Sequence, residues 1–332
     1  MTKTTLTSTV AALAFMAGGH GAQALDEITV AYFLEWPMPF EYAKAMGTYD
    51  KEMGVKVNWR AFETGTAMSA AMASGDVQIA VSRGVPPFVV ATSAGQDLQT
   101  IGVAVSYSEN DNCVVRADLE ITKDNASELE GKKVAVPLGT AAHYGFLRQM
   151  DHFGSDPATL DIVDMAPTDG AAALSQGAVD MACGYGGGLG RMKEHANVLL
   201  TGAEKEELGI LVFDVISATA DFVAENPDLA ARFMRVTETA NDIRNKGSRR
   251  AAMLPVIAQD AGMDVATAES DMATFIFPTL DEQLSEKWLG GGAQSFMKGV
   301  SQVFLDAGSI PAARDSDDSV VNTGPIEAAK GM

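Results

Sequence analysis

The residues best suited to holding an anion follow a predicted strand. Gly139 and Thr140 open a predicted helix directly after the apolar run 134–136. A threonine caps the first N–H groups of a helix, and those groups together with the helix dipole attract an anion. Because ligands of open α/β sheets bind beyond the carboxyl ends of strands, we expect Thr140, Ala141 and His143 beside a ligand. Simple helix capping is the alternative.

A second candidate anion site follows the third predicted strand. Ser82, Arg83 and Gly84 come after the apolar run 77–81. The guanidinium of Arg83 is a fork-shaped donor that suits a sulfonate or a carboxylate. The alternative is that Arg83 is an ordinary surface charge.

Residues suited to a cation follow the first predicted strand. Glu35 and Trp36 lie there, and Pro37 comes next. An aromatic face and a carboxylate both attract an ammonium group, so we expect this pair to hold a cation. A core Trp36 beside a solvated Glu35 is the alternative. The other residues that we assign to the ligand site are Asp111, Asn112, Tyr185 and Asp214.

The familiar enzyme signatures are absent from the sequence. The glycine cluster 184–188 fails the G-x-G-x-x-G pattern because its sixth position is Leu189, and residues 131–133 lack the earlier glycine of a phosphate-binding loop. No G-x-S-x-G or H-E-x-x-H motif occurs. The histidines beyond the N-terminal segment are too scattered to predict a metal cluster. The sequence thus predicts a binding protein without catalytic residues, metal or cofactor.

The N-terminal segment, residues 1–24, has the composition of a secretory signal peptide. Lys3 precedes the apolar run 10–18, and residues 22–24 form a small-x-small cleavage site. The apolar run is shorter than the roughly 20 residues that span a bilayer. We therefore expect a soluble, exported protein that resides in the periplasm.

The sequence contains 2 cysteines, Cys113 and Cys183. An even number in an exported chain permits one disulfide, whereas two separate buried thiols would pack as small hydrophobic groups. Neither cysteine has the spacing of a metal or redox motif. The sequence is compatible with both arrangements.

The elements that must position these residues alternate in the manner of an α/β protein with mainly parallel strands. The predicted strands cover residues 28–33, 55–62, 77–81, 113–116, 134–136, 161–165, 179–183 and 211–218. The predicted helices cover residues 40–53, 67–74, 141–153, 168–176, 227–245, 253–261, 265–273 and 284–305. The order of strand, Gly- or Thr-opened helix and strand occurs twice, which predicts two similar lobes. We expect the tail from residue 312 to be weakly ordered.

Length and charge restrict the function classes. The chain has 332 residues, 47% of them hydrophobic, and a formal net charge of −20. This is enough apolar material for one large or two medium domains. The net negative charge argues against nucleic acid and anionic lipid as partners, because both are polyanions.

The chain resembles the substrate-binding proteins of ABC importers, in the taurine and alkanesulfonate branch. The resemblance spans residues 27–233 and is carried by residues 57–62, 73–79, 131–137, 143–144, 213–215 and 221–222. It implies a type II periplasmic-binding-protein fold with a ligand cleft between two α/β lobes joined by two crossover segments. The implied lobes are residues 25–110 with 215–332, and residues 111–214. The implied partners of this monomer are a membrane permease and its ATPase.

By position, the resemblance places Ser82, Arg83, Gly84 and the Thr140 helix start at a sulfonate, and Asp214 near an amine. The chain departs from the family pattern at Arg83 and at the glycine cluster 184–188. The main expectation is a small zwitterionic or anionic compound, either taurine or a related sulfonate or amine, and a betaine or an amino-acid-like zwitterion is the alternative. An enzyme similar to the thiamine pyrimidine precursor synthases is a different class of alternative, as is a receptor-type sensor.

Overall fold

The computed structural model describes residues 25–210 and 212–332. The predicted signal peptide, residues 1–24, lies outside the described residues, as does Leu211 at the start of the last predicted strand.

The strands lie close to the predicted positions, with two additions. Their bounds are β1 Glu27–Phe33, β2 Lys56–Phe62, β3 Ile79–Gly84, β4 Leu98–Tyr107, β5 Asp111–Arg116, β6 Lys133–Val136, β7 Asp161–Asp164, β8 Met181–Tyr185, β9 Ala196–Val198 and β10 Val212–Thr219. The sequence analysis missed β4 and β9, and it placed residues 82–84 after the third strand, whereas they are its last residues.

Helices connect these strands and form the C-terminal third of the chain. Their bounds are α1 Pro39–Ala45, α2 Thr48–Met53, α3 Gly65–Ala73, α4 Val85–Ser93, α5 Ala141–Phe153, α6 Pro167–Ser175, α7 Gly186–Lys193, α8 Gly202–Glu207, α9 Ala220–Glu225, α10 Pro227–Asn245, α11 Arg250–Ala261, α12 Val265–Thr274, α13 Leu280–Gln283, α14 Gly292–Asp306 and α15 Gly324–Lys330. Short 3₁₀ helices cover Ala117–Leu119, Lys123–Leu129, Pro157–Thr159 and Asp318–Val320.

The strands form two sheets with the same plan. The first sheet has the order β2-β1-β3-β10-β4, and the second has the order β7-β6-β8-β5-β9. In each sheet the first strand of the unit, β1 or β6, lies between two parallel neighbours, and the two remaining strands join antiparallel. The sheets are thus mixed rather than mainly parallel. We call the regions around them the first and the second lobe.

The antiparallel strands return from the other lobe and bring acidic residues to corresponding places. On β10, Asp214 pairs with Gly84 at the end of β3. On β5, Asp111 pairs with Tyr185 at the end of β8. The lobe boundaries at residues 110/111 and 214/215 remain predictions, although Asp214 itself belongs to a strand of the first sheet.

The core explains why both sheets hold together. Strands β1, β3 and β10 are buried along most of their length, as expected for inner strands whose two faces are covered by helices. An aromatic cluster beside the first sheet joins Tyr49 to Trp59 and Phe233 with ring centroids 5.1 and 4.9 Å apart. It fixes α2 and α10 against β2.

The C-terminal third differs from its prediction in two places. Residues 284–291 form turns rather than the first half of a long helix, and α14 begins at Gly292. A Cβ at Gly292 would lie 2.1 Å from the carbonyl oxygen of Lys287, so this tight turn requires a glycine. The tail is ordered, because α15 buries Ile326 and Ala329 against neighbouring elements that include α10.

Candidate ligand-binding site

A small cavity of about 20 Å³ lies between the two lobes. Its lining comes from the ends of strands and the starts of helices, where both sheets face each other. The lining residues are Phe33, Trp36, Gly84, Pro87, Tyr107, Thr140, Ala141, Tyr185 and Asp214. Of the residues predicted for the ligand site, the structure therefore brings Trp36, Gly84, Thr140, Ala141, Tyr185 and Asp214 together.

Asp214 is the charged group of this lining. It is 2% exposed. Its Oδ2 accepts a hydrogen bond of 2.7 Å from the Ser82 hydroxyl, and its Oδ1 accepts one of 2.7 Å from the Tyr107 hydroxyl. Burial raises the pKa of Asp214 to about 7, although both hydrogen bonds oppose this change. The two hydrogen bonds thus hold the carboxylate in one orientation, and a cation beside it would stabilise its charged form.

Ser82 connects this carboxylate to Trp36. Its hydroxyl accepts a hydrogen bond of 2.8 Å from the Trp36 indole nitrogen and donates to Asp214. Ser82 has a φ of 62°, which is uncommon for a residue with a side chain. The predicted ligand residue Ser82 therefore acts behind the cavity wall, where it orients two groups that do line the cavity.

Aromatic rings form most of the wall around Asp214. The Trp36 ring centroid lies 4.8 Å from that of Tyr107 and 6.5 Å from that of Tyr185. Phe33 contacts Tyr185 at 5.8 Å, and Phe275 supports Trp36 from outside the lining at 4.7 Å. Rings in edge and tilted contacts of this kind form a rigid wall whose faces attract cations.

The second lobe contributes the start of α5. Thr140 is the N-cap residue, and its hydroxyl donates to the Pro137 carbonyl at 2.6 Å and accepts from the His143 N–H at 3.5 Å. Within residues 25–210 and 212–332, no acceptor is bonded to the N–H groups of Ala141 and Ala142. These free donors and the dipole of a 13-residue helix are the features of this lobe that attract an anion.

The start of α4 in the first lobe offers fewer backbone donors than the start of α5. Its first turn contains Pro86 and Pro87, which have no backbone N–H. Pro87 lines the cavity with its apolar ring. Donors therefore come from the second lobe, and the carboxylate comes from the first sheet.

Arg83 does not reach this cavity, which corrects its predicted role as an anion ligand. Neighbouring residues of β3 alternate in direction, and Arg83 points under α3 and α4, where it is 0% exposed. Its Nη1 donates to the Ser69 hydroxyl at 3.0 Å, and the guanidinium lies 5.0 Å from the Phe88 ring centroid. Burial lowers the pKa of Arg83 to about 9. We find no ligand-facing role for it.

Glu35 also lies outside the cavity lining, because its carboxylate is bound to the other lobe. Arg191 donates to both of its oxygens, at 2.8 and 3.0 Å, and we call this ion pair the mouth bridge. The Gly187 N–H donates to the Glu35 carbonyl at 3.2 Å. Cβ atoms at Gly186 and Gly187 would lie 2.6 to 2.7 Å from Glu35 atoms, so the glycine cluster allows this close approach.

Three further predicted residues make contacts outside the cavity lining. Asn112 donates to the Leu200 carbonyl at 2.8 Å, and His143 stacks on Phe304 with ring centroids 5.2 Å apart. Asp111 is 1% exposed, and neither of its carboxylate oxygens has a partner among the described residues. Burial raises the pKa of Asp111 to about 6.

The two cysteines form a disulfide between β5 and β8. Cys113 and Cys183 are directly opposite in the strand register, two residues from the Asp111–Tyr185 pair. The structure thus has a disulfide rather than two separate thiols. The bond links β5 to β8 close to the strand ends that face the cavity.

Sequence reasoning missed Phe33, Pro87 and Tyr107. Tyr107 ends β4, a strand that the sequence analysis did not recognise, although its apolar run at residues 101–105 was visible. Phe33 is the last residue of β1 and therefore lies at the ligand-facing edge of the sheet. An aromatic residue at the carboxyl end of a strand was the available signal for both.

The described residues contain no group of three or more His, Cys, Asp or Glu side chains arranged to hold a metal ion. None of the helices in these described residues combines the length and the hydropathy of a membrane span.

Comparisons with known proteins agree on one family. Residues 38–244 match the family described as NMT1/THI5 like. The taurine-binding periplasmic protein of Escherichia coli (strain K12) is 31% identical over 226 residues, which span 68% of this chain and 68% of that protein.

Solved structures of low sequence identity share the fold. The alkanesulfonate-binding protein of Xanthomonas axonopodis pv. citri, bound to MOPS, superposes with a TM-score of 0.74 at 18% identity, covering 90% of this chain and 99% of that one. The periplasmic aliphatic sulphonate binding protein of Escherichia coli gives a TM-score of 0.69 at 19% identity, covering 88% and 96%. The predicted two-lobed periplasmic-binding-protein fold is confirmed.

Proposed function

Because this chain belongs to the NMT1/THI5-like family and is homologous to periplasmic binding components of ABC importers, we propose that it captures a small zwitterion between its lobes. The zwitterion carries a sulfonate or similar anion and an ammonium group, and taurine is the reference compound. The protein delivers this solute to a membrane permease that an ATPase drives. It carries out no chemical conversion of the solute.

One observation carries the proposal: a single cavity has an oriented carboxylate on one wall and free helix N–H groups on the other. Asp214 provides the carboxylate, and Ala141 beside the Thr140 cap provides the helix start. A zwitterion satisfies both walls at once, whereas a simple anion would leave Asp214 without a counter-charge. The aromatic wall excludes water around the cationic end.

Capture follows from the placement of these groups on different lobes. The ligand contacts both walls only when the lobes are close together, so its binding favours the closed arrangement over an open one. The mouth bridge joins Glu35 to Arg191 across the same gap, and the Tyr185 hydroxyl donates to the Glu63 carbonyl at 3.0 Å. Both contacts join protein groups of the two lobes directly and so add to closure.

Localisation and assembly complete the proposal. We place the mature protein in the periplasm as a monomer, with residues 25–110 and 215–332 forming one lobe and residues 111–214 the other. The names of its relatives and the predicted signal peptide support the location. The presence of two separate five-stranded sheets supports the division into two lobes.

Titration calorimetry on the purified protein tests the proposal. We expect saturable, one-site binding of taurine or of its N-methylated forms, and weak binding of ethanesulfonate, which has the sulfonate but no ammonium. Mass measurement of the ligand after incubation should return it unchanged. Tight binding of an uncharged sugar together with no binding of any aminosulfonate or betaine would contradict the proposal, and a converted ligand would establish an enzyme.

A further inference from the structure

The cation end of the cavity has many rings and few free hydrogen-bond acceptors. The hydroxyl hydrogen of Tyr107 is donated to Asp214, and that of Tyr185 is donated to the Glu63 carbonyl. The Trp36 indole N–H is donated to Ser82. The two hydroxyl oxygens keep lone pairs that can accept, but they are neutral, so the carboxylate of Asp214 is the charged acceptor among the side chains of the described lining.

A primary ammonium group fits such a wall poorly. It has three N–H donors that each need an acceptor when water is excluded. Both oxygens of Asp214 already accept one hydroxyl each, which leaves about one acceptor site on each oxygen for the three N–H donors. A buried donor without an acceptor weakens binding, because it gives up its hydrogen bond to water.

An N-methylated ammonium group fits the same wall well. Each methyl group replaces one N–H donor and spreads the positive charge over a surface that packs on aromatic faces. Phe33, Trp36, Tyr107 and Tyr185 supply rings, and Pro87 supplies a further apolar surface. Among the lining residues, Asp214 balances the remaining charge.

We propose that the natural solute carries an N-methylated ammonium group. The rings of Phe33, Trp36, Tyr107 and Tyr185, which we call the ring wall, select it over the primary amine. This inference rests on the proposed function, since it assumes a zwitterion whose anion lies at α5. It concerns only the substituents on the nitrogen, so the anion end can be kept constant while the nitrogen is varied.

The test compares taurine, N-methyltaurine and N,N,N-trimethyltaurine by calorimetry at one pH and one salt concentration. These compounds share the sulfonate and differ in the number of methyl groups. We expect both methylated compounds to bind about tenfold or more tightly than taurine, in the range that a desolvated cation–ring contact provides. Taurine binding as tightly as its methylated forms, or more tightly, would overturn the inference while leaving the proposed function intact. No binding by any of the three would contradict the assignment of an aminosulfonate.

A variant isolates the ring wall from the rest of the site. Phe33→Leu removes one lining ring and no hydrogen bond, and we expect the ratio of trimethyltaurine to taurine affinity to fall severalfold. The matched control is Phe296→Leu, because Phe296 packs on Tyr144 and Phe213 away from the cavity. The control should keep the wild-type ratio. The ratio is measured within one variant, so a general loss of stability does not change it, and an unchanged ratio in Phe33→Leu would count against the inference.

Discussion

Asp214 and Asp111 occupy corresponding positions in the two lobes and have different surroundings. Each lies on the antiparallel strand that pairs with the end of the third strand of its unit, opposite Gly84 or Tyr185. Both are buried, and burial raises both pKa values, to about 7 and about 6. Asp214 accepts two hydroxyl hydrogen bonds, whereas the oxygens of Asp111 have no partner in the described part of the chain.

The difference shows how two lobes with the same strand arrangement present opposite charges to the cavity, a carboxylate from the first lobe and helix N–H groups from the second. In the first lobe, Ser82 and Tyr107 orient a carboxylate toward the cavity. In the second lobe, the corresponding acid lies beneath α5, since a Cβ at Gly145 would be 3.4 Å from its Oδ1, and the lining is formed by the α5 start. The topology fixes where an acid can be placed, and its hydrogen-bond partners decide whether it serves as a counter-ion.

The largest effect that we predict is a difference in affinity for the zwitterion between a variant of Asp214 and a variant of Asp111. Asp214→Asn removes the counter-charge of the bound cation, and we expect affinity for the zwitterion to fall by at least about 100-fold, since losing one partner of a buried charge pair costs about 3 kcal/mol. Asp111→Asn should change affinity by less than about threefold. Calorimetry of both variants checks this, and equal losses would show that the two acids act together.

The pH dependence of affinity sharpens the same comparison. The carboxylate form of Asp214 binds the cation, and its pKa is raised to about 7 in the folded protein. We therefore expect affinity for an aminosulfonate to fall as pH drops below 7, approaching about tenfold per pH unit. Both charges of the ligand are unchanged in this range. Calorimetry from pH 8 to pH 5 measures the slope, which Asp214→Asn should abolish and Asp111→Asn should retain.

The free energy of unfolding should decrease as pH rises, whereas affinity for the ligand should increase. Burial raises the pKa of Asp111 from 3.8 to about 6, so its contribution to stability is present below pH 4 and is lost as pH rises through 6. Asp111→Asn removes this loss and should increase the free energy of unfolding at pH 8 by on the order of 2 kcal/mol. Denaturant unfolding checks this, with exposed Asp151→Asn as the control.

If Asp111→Asn instead lowered the free energy of unfolding, the contrast between an unpaired Asp111 and a hydrogen-bonded Asp214 would be wrong. That result would indicate that the carboxylate of Asp111 is paired with the buried Lys205 ammonium, which in the structure donates to the Asp111 carbonyl. The two aspartates would then both be paired acids.

The anion end is tested by removing one backbone donor. Ala141→Pro deletes the first N–H of α5 at a position where proline is favoured, and the preceding Thr140 is extended with φ −99° and ψ 179°. We expect affinity to fall about tenfold, in line with about 1.5 kcal/mol for one hydrogen bond to a charged group. Val265→Pro makes the same change at the start of α12 and should leave affinity unaltered.

The sequence predicted the second lobe's contribution better than that of the first. The α5 start is local, because a Gly-Thr pair after a strand and before small residues can be read without neighbours, and α5 lies at its predicted bounds. The ring wall combines residues from β1, β4 and β8, which only the tertiary fold brings together. Arg83 was misassigned because a residue's side of the sheet depends on strand bounds that the sequence places only approximately.

The Cys113–Cys183 disulfide shows the same limit. A separation of 70 residues carries no pairing information, and the register of β5 against β8 decides the contact. The glycine cluster 184–188 likewise had no predicted role, because its close approach to Glu35 is a contact between lobes.

The mouth bridge has a consequence for the timing of transport. Glu35 and Arg191 are partly exposed, at 33% and 43% of their side-chain surfaces, so their attraction is weakened by dissolved salt. This ion pair joins the two lobes, so it has to break when the lobes separate, even though Glu35 and Arg191 lie outside the cavity lining. The residence time of the ligand should therefore shorten as ionic strength increases, and a solute carried by this protein would be released sooner in brine than in fresh water.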